Sequence, residues 1–201
     1  MEFSQFVLAR IYENIQPIDR GERYEDPLQA VLEAKGVGQV TGGGSQLNEV
    51  GGIDYVDIEI ELANLDEALD VVVEALENAG APEGSELLQS SDEKVLREFG
   101  KQQCLAIYLD GVSLPEEVYE KLDFDAVIAE LETAAGAGSY RSFWQGPEET
   151  GLFYFGSDAE AMFTNVEPVL RRLPIGQNAR VVVRAGKPGL NPREVRIPRS
   201  S

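Results

Sequence analysis

The sequence predicts an α+β protein made of two ferredoxin-like (βαββαβ) domains in tandem, each an antiparallel sheet with helices on one face. Three observations predict it. Residues 6–90 and 104–185 run through the same order of strand-like and helix-like segments. Gly36-Val-Gly38 and Gly136-Ala-Gly138 stop the first helix of each half at nearly constant offset. Capping-box spacings, Asn64 with Glu67 and Ser157 with Glu160, open the second helix of each. The boundaries that follow are an acidic domain over 1–90, a linker over 91–103, a second domain over 104–185 and a basic extended tail over 186–201. The rival arrangement is one continuous α/β domain whose strands share a sheet.

In the first half, Phe6–Tyr12 is a strand-like apolar run, followed by a polar loop to Tyr24. Asp26 then Pro27 has the form of an N-cap with proline in the first turn, and Leu28, Val31 and Leu32 supply an apolar stripe. Gln39–Leu47 is a strand interrupted by Gly42, Gly43 and Gly44. Ile53–Leu62 is the clearest strand: Val56, Ile58, Ile60 and Leu62 point one way, Asp57, Glu59 and Glu61 the other. Leu65, Ala68, Leu69, Val72, Val73 and Leu76 keep helical spacing as far as Gly80, and Glu86–Gln89 closes the half as a strand. The polar linker admits a helical turn around Val95–Phe99.

The second half repeats the order. Cys104–Leu109 is a strand, and Leu114–Tyr119 has the character of a helical turn. Asp123 caps a helix carrying Phe124, Val127, Ile128 and Leu131. Ser139–Trp144 and Leu152–Phe155 pair as a hairpin, with simple alternation placing Tyr140, Ser142 and Trp144 opposite Arg141 and Phe143. Met162, Val166, Val169, Leu170 and Leu173 stripe a helix containing Pro168, which implies a kink or a late start. Ala179–Arg184 is the last strand.

Composition narrows the function. No apolar run approaches the length of a membrane span, and the N-terminus lacks a basic start followed by an apolar core, so the expectation is a cytoplasmic protein. Histidine is absent and Cys104 is the sole cysteine, which rules out His-dependent triads and disfavours a tetrahedral zinc site. Cys104 lies in an apolar run and reads as a small buried hydrophobe. No catalytic motif is present, so the chain reads as a non-enzyme without a cofactor. The net charge is −19, and it is lopsided: residues 1–90 hold 19 acidic and 4 basic side chains, while the tail is basic. Such a surface repels nucleic acid and anionic lipid and suits a basic protein partner. A homodimer is also compatible with the sequence.

The candidate binding residues are Asp57, Glu59 and Glu61, spaced about 6–7 Å apart along one strand face, with Asp54, Tyr24 and the Gly42, Gly43 and Gly44 segment beside them. The glycines do not lead from a strand into a helix and no lysine follows, so a bulge or an edge offered to a partner fits better than a phosphate cradle. The stretch Gly38–Leu47 with Ile53–Leu62 resembles small acidic bacterial domains found among immunity-type and uncharacterised proteins, over residues 6–90. That resemblance implies non-covalent binding to a partner such as a toxin. The alternative function is a small-ligand or metal-sensing regulatory module with a site between the two repeats.

Overall fold

Apolar alternation decides which strands lie at the centre of each sheet. The computed structural model describes residues 5–199. The chain divides into two compact units, one of residues up to Asn48 with Ile53–Lys101 and one of Glu49–Gly52 with the residues from Gln102 onward.

The first unit contains β1 (Gln5–Ile11), α1 (Pro17–Arg20), a π-helical turn (Gly21–Glu25), α2 (Asp26–Lys35), β2 (Gly38–Leu47), β3 (Ile53–Leu62), α3 (Leu65–Asn78), β4 (Ser85–Gln89) and β5 (Val95–Phe99). Its sheet runs β2-β3-β1-β4-β5 with every neighbouring pair antiparallel. The first four strands have the ferredoxin-like order. Val7, Ala9 and Ile11 of β1 and Val56, Ile58, Ile60 and Leu62 of β3 are buried with Leu28, Leu32, Val72 and Leu76 of the helices. This is the face the period-two pattern assigns to the core.

The helical segment before Pro27 starts earlier than the Asp26 cap implies. Helix runs from Pro17 and widens at Gly21–Glu25, where the Asp26 N–H reaches back to the Gly21 carbonyl. Proline cannot donate and crowds the carbonyl four residues before it, and a π-turn next to Pro27 absorbs both effects. The "polar loop" is therefore helical, and it carries Tyr24 into the core.

The second unit contains β6 (Gln103–Asp110), α4 (Glu116–Glu120), α5 (Phe124–Ala135), β7 (Ser139–Gln145), β8 (Glu149–Gly156), α6 (Ala159–Arg172), a 3-10 turn (Pro174–Gly176), β9 (Arg180–Arg184) and β10 (Arg193–Arg196). Its sheet is again antiparallel, in the order β10-β9-β6-β8-β7. Leu105, Ile107, Leu152 and Tyr154 pack under α5 and α6. The opposite face buries Cys104, Ala106, Phe153 and Phe155. The protein is thus a tandem of two ferredoxin-like units, each extended by one strand.

Those two extra strands fall where the sequence indicates a linker and a tail. Residues Val95–Phe99 pair with β4 rather than forming a helical turn, and Phe99 is buried. In the tail, Arg193–Arg196 pairs with β9, and Ile197 beyond it is 1% exposed. Short strands with one buried and one half-buried hydrophobe, Phe99 with Leu96 and Ile197 with Val195, give little periodic signal among charged neighbours. The α6 cap also shifts by one residue: Asp158, not Ser157, accepts the Ala161 N–H.

The repeat extends to an irregularity. On β2 the register with β3 slips between Val40 and Gly42, leaving Thr41 as the extra residue. On β7 it slips between Tyr140 and Ser142, leaving Arg141. Each bulge lies in the strand that follows the first long helix of its unit. Its effect is to turn the rest of the strand over. Tyr140 pairs with Tyr154 and Phe143 with Leu152, both on the helix side, while Ser142 pairs with Phe153 on the other. The simple alternation that places Tyr140 with Ser142 and Trp144 is corrected by this one residue.

Candidate functional site

The three carboxylates of β3 do share the sheet face opposite the helices, but they are not equivalent. Asp57 stands across from Arg10 in the β1–β3 register. The Arg10 guanidinium donates from Nε and Nη2 to the two Asp57 oxygens, both at 2.9 Å. It also donates to Glu93 at 3.3 Å and lies 4.2 Å from the Tyr55 ring centroid. The Asp57 hydrogen bond holds the Arg10 guanidinium above its ordinary pKa despite the desolvation that works against it. Asp57 is therefore already paired with a cation inside its own unit. Arg10 sits in an apolar β1 run, and it is the residue that sequence reasoning passed over here.

Glu61 accepts from the Gln39 side chain of β2 at 2.8 Å. Glu59 is exposed and lies over Gly42: a Cβ built on Gly42 would stand 3.1 Å from its carboxylate oxygen. Both side chains thus lean toward β2, the edge strand of the sheet. Asp54 is exposed and accepts from Asn48 at 3.0 Å.

The glycines have different reasons. A Cβ on Gly43 would meet the Asp57 carbonyl oxygen at 2.8 Å, Glu25 Oε1 at 2.9 Å and Arg20 Nη2 at 3.0 Å. Gly43 therefore exists to let Arg20 close on the strand, where its Nη1 donates to the Gly44 carbonyl at 2.8 Å. Gly44 has open space around it and Gly42 leaves room for Glu59.

Tyr24 does not join this surface. Its side chain is fully buried, and its hydroxyl donates to the carboxylate of Glu13, which also accepts from Arg23 at 2.6 Å. The π-turn places Tyr24 inward, so its role is in the core. Among the described residues no three acidic or cysteine side chains converge as a metal would need, and no helix is long and apolar enough to cross a membrane.

No protein-family model matches the chain, and no curated protein matches it. Among solved structures it is similar to an unknown protein from Galdieria sulphuraria, at 12% identity and TM-score 0.30, covering 96% of this chain and 99% of that one. It is also similar to the regulatory subunit of aspartate kinase from Thermus flavus, at 14% identity and TM-score 0.28 over 83% and 93% of the two chains. The ligand-free subunit from Thermus thermophilus gives 13% and 0.27 over 82% and 90%.

Proposed function

We propose that the protein is a non-enzymatic acidic binding protein that takes a basic protein partner on its first unit, in the manner of an immunity or inhibitor protein. The observation that carries this reading is Glu59 leaning over Gly42 onto the edge strand β2, with Glu61 beside it. Residues Gly43–Leu47 of that edge are exposed, with no side chain at Gly43 and Gly44 and a small one at Ser45. A basic segment laid along β2 would find main-chain donors and acceptors on the strand and carboxylates beside it, which is recognition by strand addition with charge complementarity.

The internal ion pairs neutralise Asp57, Glu25 and Glu13 and leave the net acidic excess of the unit unchanged. Of the four basic side chains in residues 1–90, Arg10, Arg20 and Arg23 are paired within the unit. Arg97 and Lys101 pair with Asp70 and Glu77, and the remaining carboxylates of this stretch still outnumber its cations. A peptide alternating lysine and valine is a direct probe. Its binding, followed by amide shifts of β2 in NMR, is expected to fall at least about tenfold between low and physiological salt, and Glu59→Lys/Glu61→Lys is expected to abolish it. Binding unchanged in that variant overturns the reading.

A further inference from the structure

The second unit holds a cleft of about 650 Å³ between α5 and β7. Its origin lies in the repeated bulge. Because Arg141 is the extra residue, Tyr140 and Phe143 lie on the same side of the strand, next to α5. Gln145 pairs with Thr150 on that side too. From the helix, Asp125, Ile128 and Glu132 come to the cleft at helical spacing, with Phe124 at the helix start.

The first unit shows what the same place looks like when it is filled. There β2 carries Gly43 after its bulge, paired with Ile58 as Phe143 pairs with Leu152. Arg20 and Glu25 occupy the space in front of Gly43, within about 3 Å of where a Cβ would stand. Even the polar anchor is shared in kind: Gln29 of α2 accepts the Val40 N–H, and Glu132 of α5 accepts the Tyr140 N–H. The first unit plugs its cleft with a guanidinium from its own chain. The second leaves it open and lines it with aromatic rings.

The lining has one electrostatic sign. It includes Asp125 and Glu132 and no Lys or Arg. The basic residue of β7, Arg141, is turned to the other face, where it lies 4.6 Å from the Phe155 ring centroid. Phe143 is 50% exposed and meets Phe124 edge-to-face at 6.2 Å. Burial together with the Asp125 and Glu132 charges pushes the Tyr140 hydroxyl pKa up, so both carboxylates act on this spot. Aromatic rings beside carboxylates are the chemistry that recognises an ammonium carried on an apolar body.

We propose that the α5–β7 cleft of the second unit binds a small amphipathic amine, with the apolar part against Phe124, Ile128 and Phe143 and the ammonium between Asp125 and Glu132. The volume suits a small molecule. The site is independent of the acidic edge of the first unit.

The test uses the full chain and three probes of like shape: 2-phenylethylamine, 2-phenylethanol and 3-phenylpropionate. Binding is read from NMR shifts of the β7 and α5 amides. The amine is expected to bind about tenfold tighter than the alcohol, from cation–π and ion-pair terms together, and the carboxylate is expected not to bind. Asp125→Asn/Glu132→Gln, which keeps an acceptor for the Tyr140 N–H, should erase the preference for the amine while the alcohol still binds. Phe143→Ala should weaken both. Equal affinity for amine and alcohol, or an amine preference that survives the double substitution, overturns the proposal. So does a shift pattern that leaves α5 and β7 untouched.

Discussion

Arg10 grips Asp57 through two 2.9 Å hydrogen bonds across the β1–β3 pair, with its guanidinium stacked on Tyr55. The second unit repeats the device with other residues. Arg180 donates to both oxygens of Glu149 and lies 3.9 Å from the Tyr108 ring centroid. In each unit one arginine sits between a carboxylate and a tyrosine on the sheet face away from the helices. Two-point contact fixes the guanidinium plane, and the ring screens it from water. Both Arg10 and Asp57 are mostly buried, at 13% and 22% side-chain exposure. The pair therefore counts for more than an ordinary surface ion pair. Arg10→Ala is expected to lower the stability of the first unit by about 1–3 kcal/mol. A double-mutant cycle of Arg10→Met with Asp57→Asn should show coupling of about 1 kcal/mol or more in urea unfolding. Coupling near zero would mean that the pair is geometric only.

The glycines of β2 separate two roles that look alike in the sequence. Gly43→Ala forces a methyl against the Asp57 carbonyl, where backbone cannot give way, and should cost about 1–3 kcal/mol. Gly44→Ala meets open space and needs no left-handed backbone. It should be neutral or stabilise by about 0.5 kcal/mol, because alanine narrows the unfolded ensemble. Thermal unfolding of the two single variants decides it, and equal effects would contradict the assigned packing.

This contrast shows how far the sequence could be read. Period two in Ile53–Leu62 and period 3.6 in the second helix of each half are strong signals, and the order of elements along each half follows from them. The acidic ladder was also legible as a face. Its partial neutralisation was not, because Arg10 and Asp57 are 47 residues apart and only the β1–β3 register brings them together. The bulges at Thr41 and Arg141 were invisible for a different reason. A bulge changes which face a residue takes without changing composition, so Phe143 and Tyr140 became cleft-lining neighbours only in the fold. Tyr24 was misplaced because a π-turn has no sequence signature beyond the proline it accommodates.

Asp110 ties the β6 end to the loop that follows. Burial opposes its ionised form, but hydrogen bonds from the Ser113 hydroxyl and Asn178, with the Ser113 and Val112 N–H groups, outweigh this and hold the carboxyl well below the usual carboxylate range. A group whose pKa is depressed on folding contributes stability above its unfolded value, about 3.9, and loses it as pH falls toward the folded value. Asp110→Ala should therefore differ most from the parent at neutral pH. The difference should stay flat down to about pH 5 and shrink below about pH 4. Urea unfolding of both proteins at pH 7, 5, 3 and 2 provides the comparison. A gap that is constant through pH 2 would show that the carboxylate charge is not what holds this turn.

The basic C-terminal stretch joins the fold through one fully buried side chain, with Val195 and Arg193 packed beside it. Ile197 is buried with Val181, Ile175 and Leu114, and its N–H donates to Ala179 while its carbonyl accepts from Asn178. Arg193 pairs with Glu160 and covers Phe163 at 4.6 Å. By contrast Leu190, only seven residues earlier, is 62% exposed. Truncating a buried isoleucine leaves a cavity whose lining loses its contacts, so Ile197→Ala should cost about 2–4 kcal/mol in the second unit. Leu190→Ala should stay within about 0.5 kcal/mol of the parent. A merely tethered tail makes both substitutions neutral, whereas a strand docked along its whole length makes both costly. The single costly position expected here places the anchor at Ile197, after β10 has set its register on β9. Amide hydrogen exchange offers the second reading: protection should reach the Ile197 and Val195 amides and be absent at Leu190.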